Sequence, residues 1–421
     1  MLIEAARLTA PILVEAARWT VKAAPVAAAI VAAAVASSTI VFSEPAIADI
    51  MMLAVVVLIP TLGVTRFGIV SSLNAAAWLV IVALGIAGTA LSTSFESALT
   101  HQLVTLFLAA GAFVIAGYIA ADPEPRLQLI MWSYVVACMI ATVAALLGYF
   151  NAFPGAFELF TSYGRGRGTF KDPNVYGAAV TPALTFAVWM MLREPARRAM
   201  IAAFVALPLS LGLLISFSRG AWISAVVSIA LLLWISGARA RRKTDFRRFR
   251  IVTLGGMIGL FLAFGAAIQV DQVRSLVEAR ANLDQSYDQG PEGRFGGQQK
   301  ARRLIVENPF GIGTHTFRDI HHREEPHNVY LSQFLNAGWL GGLLYFATVV
   351  GTMLVGLRLA LRNATLQGGF VVAGSAFAGL AFEGFVIDTD HWRHFFLFMG
   401  CIWGLADAAK PVVSPERRHG D

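Results

Sequence analysis

Residues 98 to 121 read Ala-Leu-Thr-His-Gln-Leu-Val-Thr-Leu-Phe-Leu-Ala-Ala-Gly-Ala-Phe-Val-Ile-Ala-Gly-Tyr-Ile-Ala-Ala, with no carboxylate, lysine or arginine. As a helix rising about 1.5 Å per residue, such a run crosses a hydrocarbon layer of about 30 Å. Working outward, runs of the same kind recur at 24 to 43, 46 to 64, 67 to 91, 127 to 150, 174 to 192, 199 to 216, 220 to 236, 251 to 268, 328 to 357, 368 to 386 and 395 to 409. The expected fold is therefore all-α, a polytopic transmembrane bundle of about 12 spans with one long outer loop that contains short helices. Composition agrees. Of the 421 residues, 57% are hydrophobic and only 14% charged, and mean hydropathy is +0.65; soluble domains carry about 25% charged residues. A soluble enzyme is excluded.

The net charge of +7 comes from 33 basic and 26 acidic residues, and their distribution argues for orientation in a bilayer rather than for nucleic acid. With a cytoplasmic N-terminus, 20 of the basic residues fall in inner segments, including the run from Arg239 to Arg250. Only five fall in short outer loops: Arg165, Arg167, Lys171, Arg219 and Arg393. The other eight lie in the long loop, and long loops translocate largely regardless of charge. The chain thus divides into an inner or interfacial segment 1–23, spans one to nine over 24–268, a long outer loop 269–327, spans ten to twelve over 328–409, and an inner tail 410–421. Glu4, Arg7, Glu15 and Arg18 among apolar residues suit a helix lying in the interface. Cys138 and Cys401 both fall inside apolar runs, so no disulfide framework is readable.

Basic residues on the translocated side work against the insertion bias, which makes them candidates for function. Tyr163-Gly-Arg-Gly-Arg-Gly-Thr-Phe-Lys-Asp-Pro-Asn-Val-Tyr-Gly177 leads into a span. Its glycines permit close backbone approach, and Arg165, Arg167, Lys171 and Asn174 sit beside a helix start that attracts anions, so a phosphate- or sugar-binding loop competes with a flexible loop carrying stray charges. Ser216-Phe-Ser-Arg-Gly220 leaves Arg219 at the outer rim, either functional or snorkelling. In the long loop, residues 295 to 307 suit a short helix ended by Asn308-Pro309; Lys300, Arg302 and Arg303 read as its solvated face, and Arg294 lies just ahead.

His321-His-Arg-Glu-Glu-Pro-His-Asn-Val-Tyr-Leu331 passes from the loop into a span. A neutral His327 at the rim suits a general base near pH 7, beside an Asn328 able to orient a hydroxyl. His321, His322, Glu324, Glu325 and His327 also suggest a metal cluster, but their spacing matches no zinc signature, so no metal is assigned. Asp388, Asp390, His391, Arg393 and His394 in the last outer loop are read as supporting contacts.

Four motifs in this order resemble a known family: G-R-G-x-F-x-x-P-N-x-x-G from Gly166 to Gly177, S-R-G from Ser218 to Gly220, N-P-F-G-I-G from Asn308 to Gly313, and H-N-x-Y-L-x-x-x-x-x-x-G-x-x-G from His327 to Gly341. The combination is similar to the O-antigen ligase and O-antigen polymerase superfamily, most strongly over residues 160 to 345. The resemblance implies a bacterial inner-membrane glycosyltransferase acting at the periplasmic face without cofactor or metal; the charge count above puts both termini in the cytoplasm. It implies a glycan on undecaprenyl diphosphate as donor. The acceptor is a lipid A-core sugar for a ligase or another lipid-linked repeat for a polymerase, within surrounding membrane lipid. By match of motif, the family's arginines fall on Arg219 and Arg294 and its histidine on His327. Arg165, Arg167, Lys171, Asn174, Asn328 and Arg393 are then expected to contact substrate, with inversion at the anomeric carbon. Ligase is the first reading and polymerase the second. A transporter or flippase is the competitor from another class, but such proteins gather ionisable groups near the midplane, whereas these collect at one face.

Overall fold

The computed structural model describes residues 21–240, 242–269, 274, 290–362 and 365–409. The segment 1–20, most of 270–289 and the tail from 410 lie outside the described residues, and with them the expected interfacial helix, part of the long loop and the inner tail. The rest is nearly all helical. Each of the twelve apolar runs falls on a helix: Val21–Ala36, Ile47–Thr61, Ile69–Gly88, Phe95–Ala121, Pro123–Tyr149, Pro173–Arg193, Ala196–Ile215, Arg219–Ala238, Lys243–Ala267, Val329–Leu361, Gln367–Glu383 and Arg393–Ala408. A helix satisfies its backbone internally, which a lipid environment demands.

Seven of these helices are long and apolar enough to cross a membrane; Val21–Ala36 and Ile47–Thr61 are apolar but shorter. The last two, of 17 and 16 residues, are buried almost throughout, as expected for helices apolar on every side that sit inside a bundle. Small residues allow that position. A Cβ on Gly400 or Gly404 would come within 2.5 Å of the carbonyl oxygens of Ala112 and Ala116 on the Phe95–Ala121 helix.

The expectation of an all-helical chain needs one amendment. Thr161–Ser162 pairs antiparallel with Arg165–Gly166, Ser162 opposite Arg165, through a turn in which Tyr163 and Gly164 both have positive φ. The glycine-rich stretch is a small hairpin, and its glycines serve the turn.

The short helix expected at 295 to 307 is Arg294–Glu307. Its Ala301, Leu304 and Ile305 pack with Phe317, Leu331 and Leu335, while Lys300, Arg302 and Arg303 face outward. The Asn308–Gly313 motif then docks into a break in the Val329–Leu361 helix at Gly338, where φ is +70°. Ile312 N donates to Leu335 O at 2.7 Å and Trp339 N to Pro309 O at 2.8 Å, so the loop carbonyl and amide replace helix bonds lost at the kink. A side chain at 338 would collide with Pro309 O at 2.7 Å. Two of the four sequence motifs are thus halves of one clasp.

The helix ends sort the charges. At one end, Arg126 donates to Val64 O and Tyr118 O, Arg248 to Glu194 O, and Asp407 accepts from the amides of Gly68, Val70 and Ser71. The other end carries residues 150–172, 216–218, 290–328 and 384–392.

Candidate active site

His327 stands just ahead of the Val329–Leu361 helix, with φ at +51°. Asn328 caps that helix: its Oδ1 accepts from Leu331 N at 3.2 Å, and its Nδ2 donates to Phe385 O at 3.1 Å. Both ends of the Asn328 amide therefore serve the fold. The caps and the strained residue turn the His327 ring toward Glu324, whose Oε2 lies 2.8 Å from Nε2. That bond, and behind it the charges of His327, His322 and Arg294, hold the Glu324 carboxyl below its usual range. His327 keeps about a third of its side chain exposed, so a substrate can reach it.

Arg294 opens its helix behind Gly293, and no side chain caps that terminus. Among the described residues, its guanidinium makes no hydrogen bond or ion pair. Arg219 likewise opens a helix, capped by Ser218 Oγ, which accepts from Ala221 N at 3.3 Å. The next residue, Gly220, packs on Glu383: an added Cβ would meet Oε1 at 3.1 Å. Gly384 O in turn accepts from Val329 N at 2.9 Å. Gly220, next to Arg219, and Val329, next to the His327-Asn328 step, thus both pack against the 383–384 corner, and the charge of Arg294 reaches Glu324 beside His327.

The hairpin residues are placed differently. Arg165 is buried, and it donates from Nε to Ser216 O at 2.8 Å and from Nη2 to Asn174 Oδ1 at 2.7 Å. It ties the hairpin to the helix starting at Pro173 and to the turn that carries Arg219. Arg167 donates to Leu159 O and Lys171 O, and Lys171 lies 3.3 Å from Glu44. Arg393 holds Asp49 bidentately, with Nε to Oδ1 and Nη2 to Oδ2 both at 2.8 Å. All six of the expected substrate contacts, Arg165, Arg167, Lys171, Asn174, Asn328 and Arg393, thus have partners within the chain.

Sequence reading missed His101, His315, Ser332 and Gln333. His101 Nε2 is 3.1 Å from Asp390 Oδ2, Gln333 donates to the same oxygen at 3.2 Å, and Ser332 donates to Asp388 at 2.6 Å. Ser97 meets His315 Nδ1 at 3.0 Å. A signal existed in His101, the one residue of an otherwise apolar run able to carry charge near neutral pH. Burial raises the Asp390 carboxyl, but the hydrogen bond and charge of His101 outweigh it and hold Asp390 below the usual carboxylate range. Burial, with the repulsion of Asp390 behind it, raises Asp388. In the 321–327 stretch, His322 Nδ1 faces the backbone of Glu324 and His327 faces its carboxylate. Among the described residues, no three metal-ligating groups converge there.

No curated protein matches the chain. Residues 202–346, about a third of the chain, match the family model described as O-antigen ligase, a range that runs from the helix before Arg219 past the clasp glycines of the His327 motif. The chain is a membrane protein that carries, over that range, a domain of the O-antigen ligase superfamily.

Proposed function

We propose that the protein is a glycosyltransferase moving a glycan from undecaprenyl diphosphate to a sugar hydroxyl on lipid A-core, at the periplasmic face of the bacterial inner membrane. What supports the reading is that the three motifs carrying Arg219, Arg294 and His327 all lie at the end of the bundle opposite the basic one, with Glu324 feeling both His327 and the charge of Arg294. The positive-inside rule makes that basic end cytoplasmic and supports twelve crossings with both termini inside.

The acceptor hydroxyl gives its proton to the His327 ring nitrogen that does not face Glu324, as its oxygen attacks the anomeric carbon. The bond from that carbon to the diphosphate oxygen breaks, and its electron pair leaves with the diphosphate. Glu324 stabilises the imidazolium that forms, while Arg219 and Arg294 bind the oxygens on which charge develops. A guanidinium's fork of donors suits phosphate oxygens two at a time, and charge stabilisation by two arginines leaves no step that calls for a metal. Attack opposite the leaving group inverts the anomeric centre.

Reconstituted vesicles supplied with an undecaprenyl-diphosphate glycan and lipid A-core test this reading. Glycosylated lipid A-core is the expected product. A ladder of lengthened lipid-linked glycan instead identifies the polymerase reading, which uses the same donor groups. Movement of the lipid-linked glycan across the bilayer without new glycosidic bonds overturns both.

A further inference from the structure

His101 and Asp390 lie 289 residues apart in the chain and 3.1 Å apart in space. His101 is on the second turn of the Phe95–Ala121 helix; Asp390 and His391 are in the turn before the Arg393–Ala408 helix. The His101 and His391 rings are 4.0 Å apart between centroids, and one ligand atom from each of the three residues lies within 4.8 Å of the others. Two imidazole nitrogens and a carboxylate oxygen are a donor set for zinc-class divalent cations, with bonds of about 2.0–2.2 Å. Tetrahedral bonds of that length separate ligand atoms by about 3.4 Å. Shifts of about 1 Å or less therefore close the present cluster onto one ion.

The surroundings suit that use. Asp390 is buried, and its ligand oxygen also takes the Gln333 amide. His391 Nε2 lies 3.1 Å from both Thr105 Oγ1 and the His101 carbonyl. The Gln333 amide on Asp390 is an outer hydrogen bond of the kind that orients a metal ligand, whereas the two contacts at His391 Nε2 give way when that nitrogen takes the ion. A cation bound at His391 Nε2 takes the place of the proton that now faces the His101 carbonyl.

We propose that His101, Asp390 and His391 form a site for one zinc-class divalent cation, which clamps the 384–392 turn to the Phe95–Ala121 helix. That turn supplies Gly384 O to Val329 N, Phe385 O to Asn328 and Asp388 to Ser332, so the clamp stiffens the seat of His327 from a distance. The ion is a brace and takes no part in glycosyl transfer, and the proposal stands whether or not the transfer reading holds.

The test uses the full chain in detergent, stripped with chelator, desalted and titrated with Co²⁺, then challenged with Zn²⁺. One equivalent of cobalt should bind with a visible ligand-field band, zinc should displace it, and zinc alone should raise the melting temperature. His101→Ala and His391→Ala should each abolish the one-equivalent band. Gln333→Ala, which removes only the outer hydrogen bond, should weaken binding about 10- to 100-fold, and His321→Ala should change nothing. If His101→Ala yields no monodisperse protein, His391→Asn carries the same expectation. Absence of saturable binding to the wild type overturns the proposal. So does a band that survives both histidine substitutions, or one lost only in His321→Ala.

Discussion

Two helix starts at the same end of the bundle each begin with an arginine. At Arg393 the protein supplies the anion itself, with Asp49 gripped at 2.8 Å through two parallel bonds. At Arg294 the helix terminus has no side-chain cap, and among the described residues nothing is bonded to the guanidinium. A positive charge at a helix N-terminus opposes the helix dipole unless an anion joins it. The first corner resolves that conflict within the fold, whereas at the second the described residues supply no bonded anion, which fits the role proposed for Arg294 in binding the donor diphosphate.

The largest expected contrast is between His327 and its neighbour. His327→Ala should fold normally, bind the lipid diphosphate donor and lose about 10² to 10⁴ in transfer rate, measured in reconstituted vesicles. Asn328→Ala removes a helix cap and the tie to Phe385, so it should lower the yield of monodisperse protein by more than it lowers the activity of what survives. Transfer by His327→Ala at the wild-type rate removes the base from the mechanism.

Arginine geometry comes next. Arg294→Lys and Arg219→Lys keep the charge but lose the fork, and both should lose most transfer activity. Arg167→Lys should be mild, because Arg167 contacts backbone carbonyls of its own loop. An Arg294→Lys variant as active as the wild type would mean that charge alone suffices there.

Stability should invert that ranking. Arg393→Ala strands Asp49 in a partly exposed corner and should cost about 1–3 kcal/mol, below the range for a fully buried pair. Arg294→Ala should stay within about 0.5 kcal/mol of the wild type, as for a surface change. Detergent-solubilised melting curves decide. Equal losses at both positions would erase the distinction between the two corners.

Much of this molecule was legible in its sequence. The twelve apolar runs all became helices, and the motifs that hold Arg219, Arg294 and His327 lie within the range of the family match. What sequence could not convey was which charges face each other. Sequence reads Arg165 and Arg393 as substrate contacts; the fold adds an internal partner for each, Ser216 O and Asn174 for Arg165 and Asp49 for Arg393, and Ser216 and Asp49 are brought there by packing between segments distant in the chain. The trailing Gly338 of the His327 motif enters the sequence reading only as part of the family resemblance; its φ of +70° and the Pro309 carbonyl against it show a backbone clasp. His101 carried a signal as the one residue able to carry charge near neutral pH in an apolar run, but its partners at 390 and 391 required the fold.

The smallest expected effect concerns Glu325, between the two corners. Burial, then the charge of Asp388, pushes its carboxyl up to about 7. Its nearest cation, Arg318, is 3.7 Å away, too far for a hydrogen bond. A carboxyl whose folded pKa exceeds its unfolded value favours the folded state when protonated. Its contribution is fully present below about pH 4.5 and is lost as pH rises through about 7. With about a quarter of the side chain exposed, the loss should be about 2 kcal/mol, less than the full shift would give. His315 and His391, both held by burial and by His101 at about 4, work in the opposite direction, losing stability as pH falls below about 6.5. The wild-type profile therefore mixes the two trends, and the difference between wild type and Glu325→Gln isolates one. The amide cannot ionise, so Glu325→Gln should match the wild type at pH 5 and exceed it in melting temperature at pH 8. A difference that stays constant from pH 5 to 8 would show that Glu325 is already ionised across the range and that its corner is wetter than its burial implies.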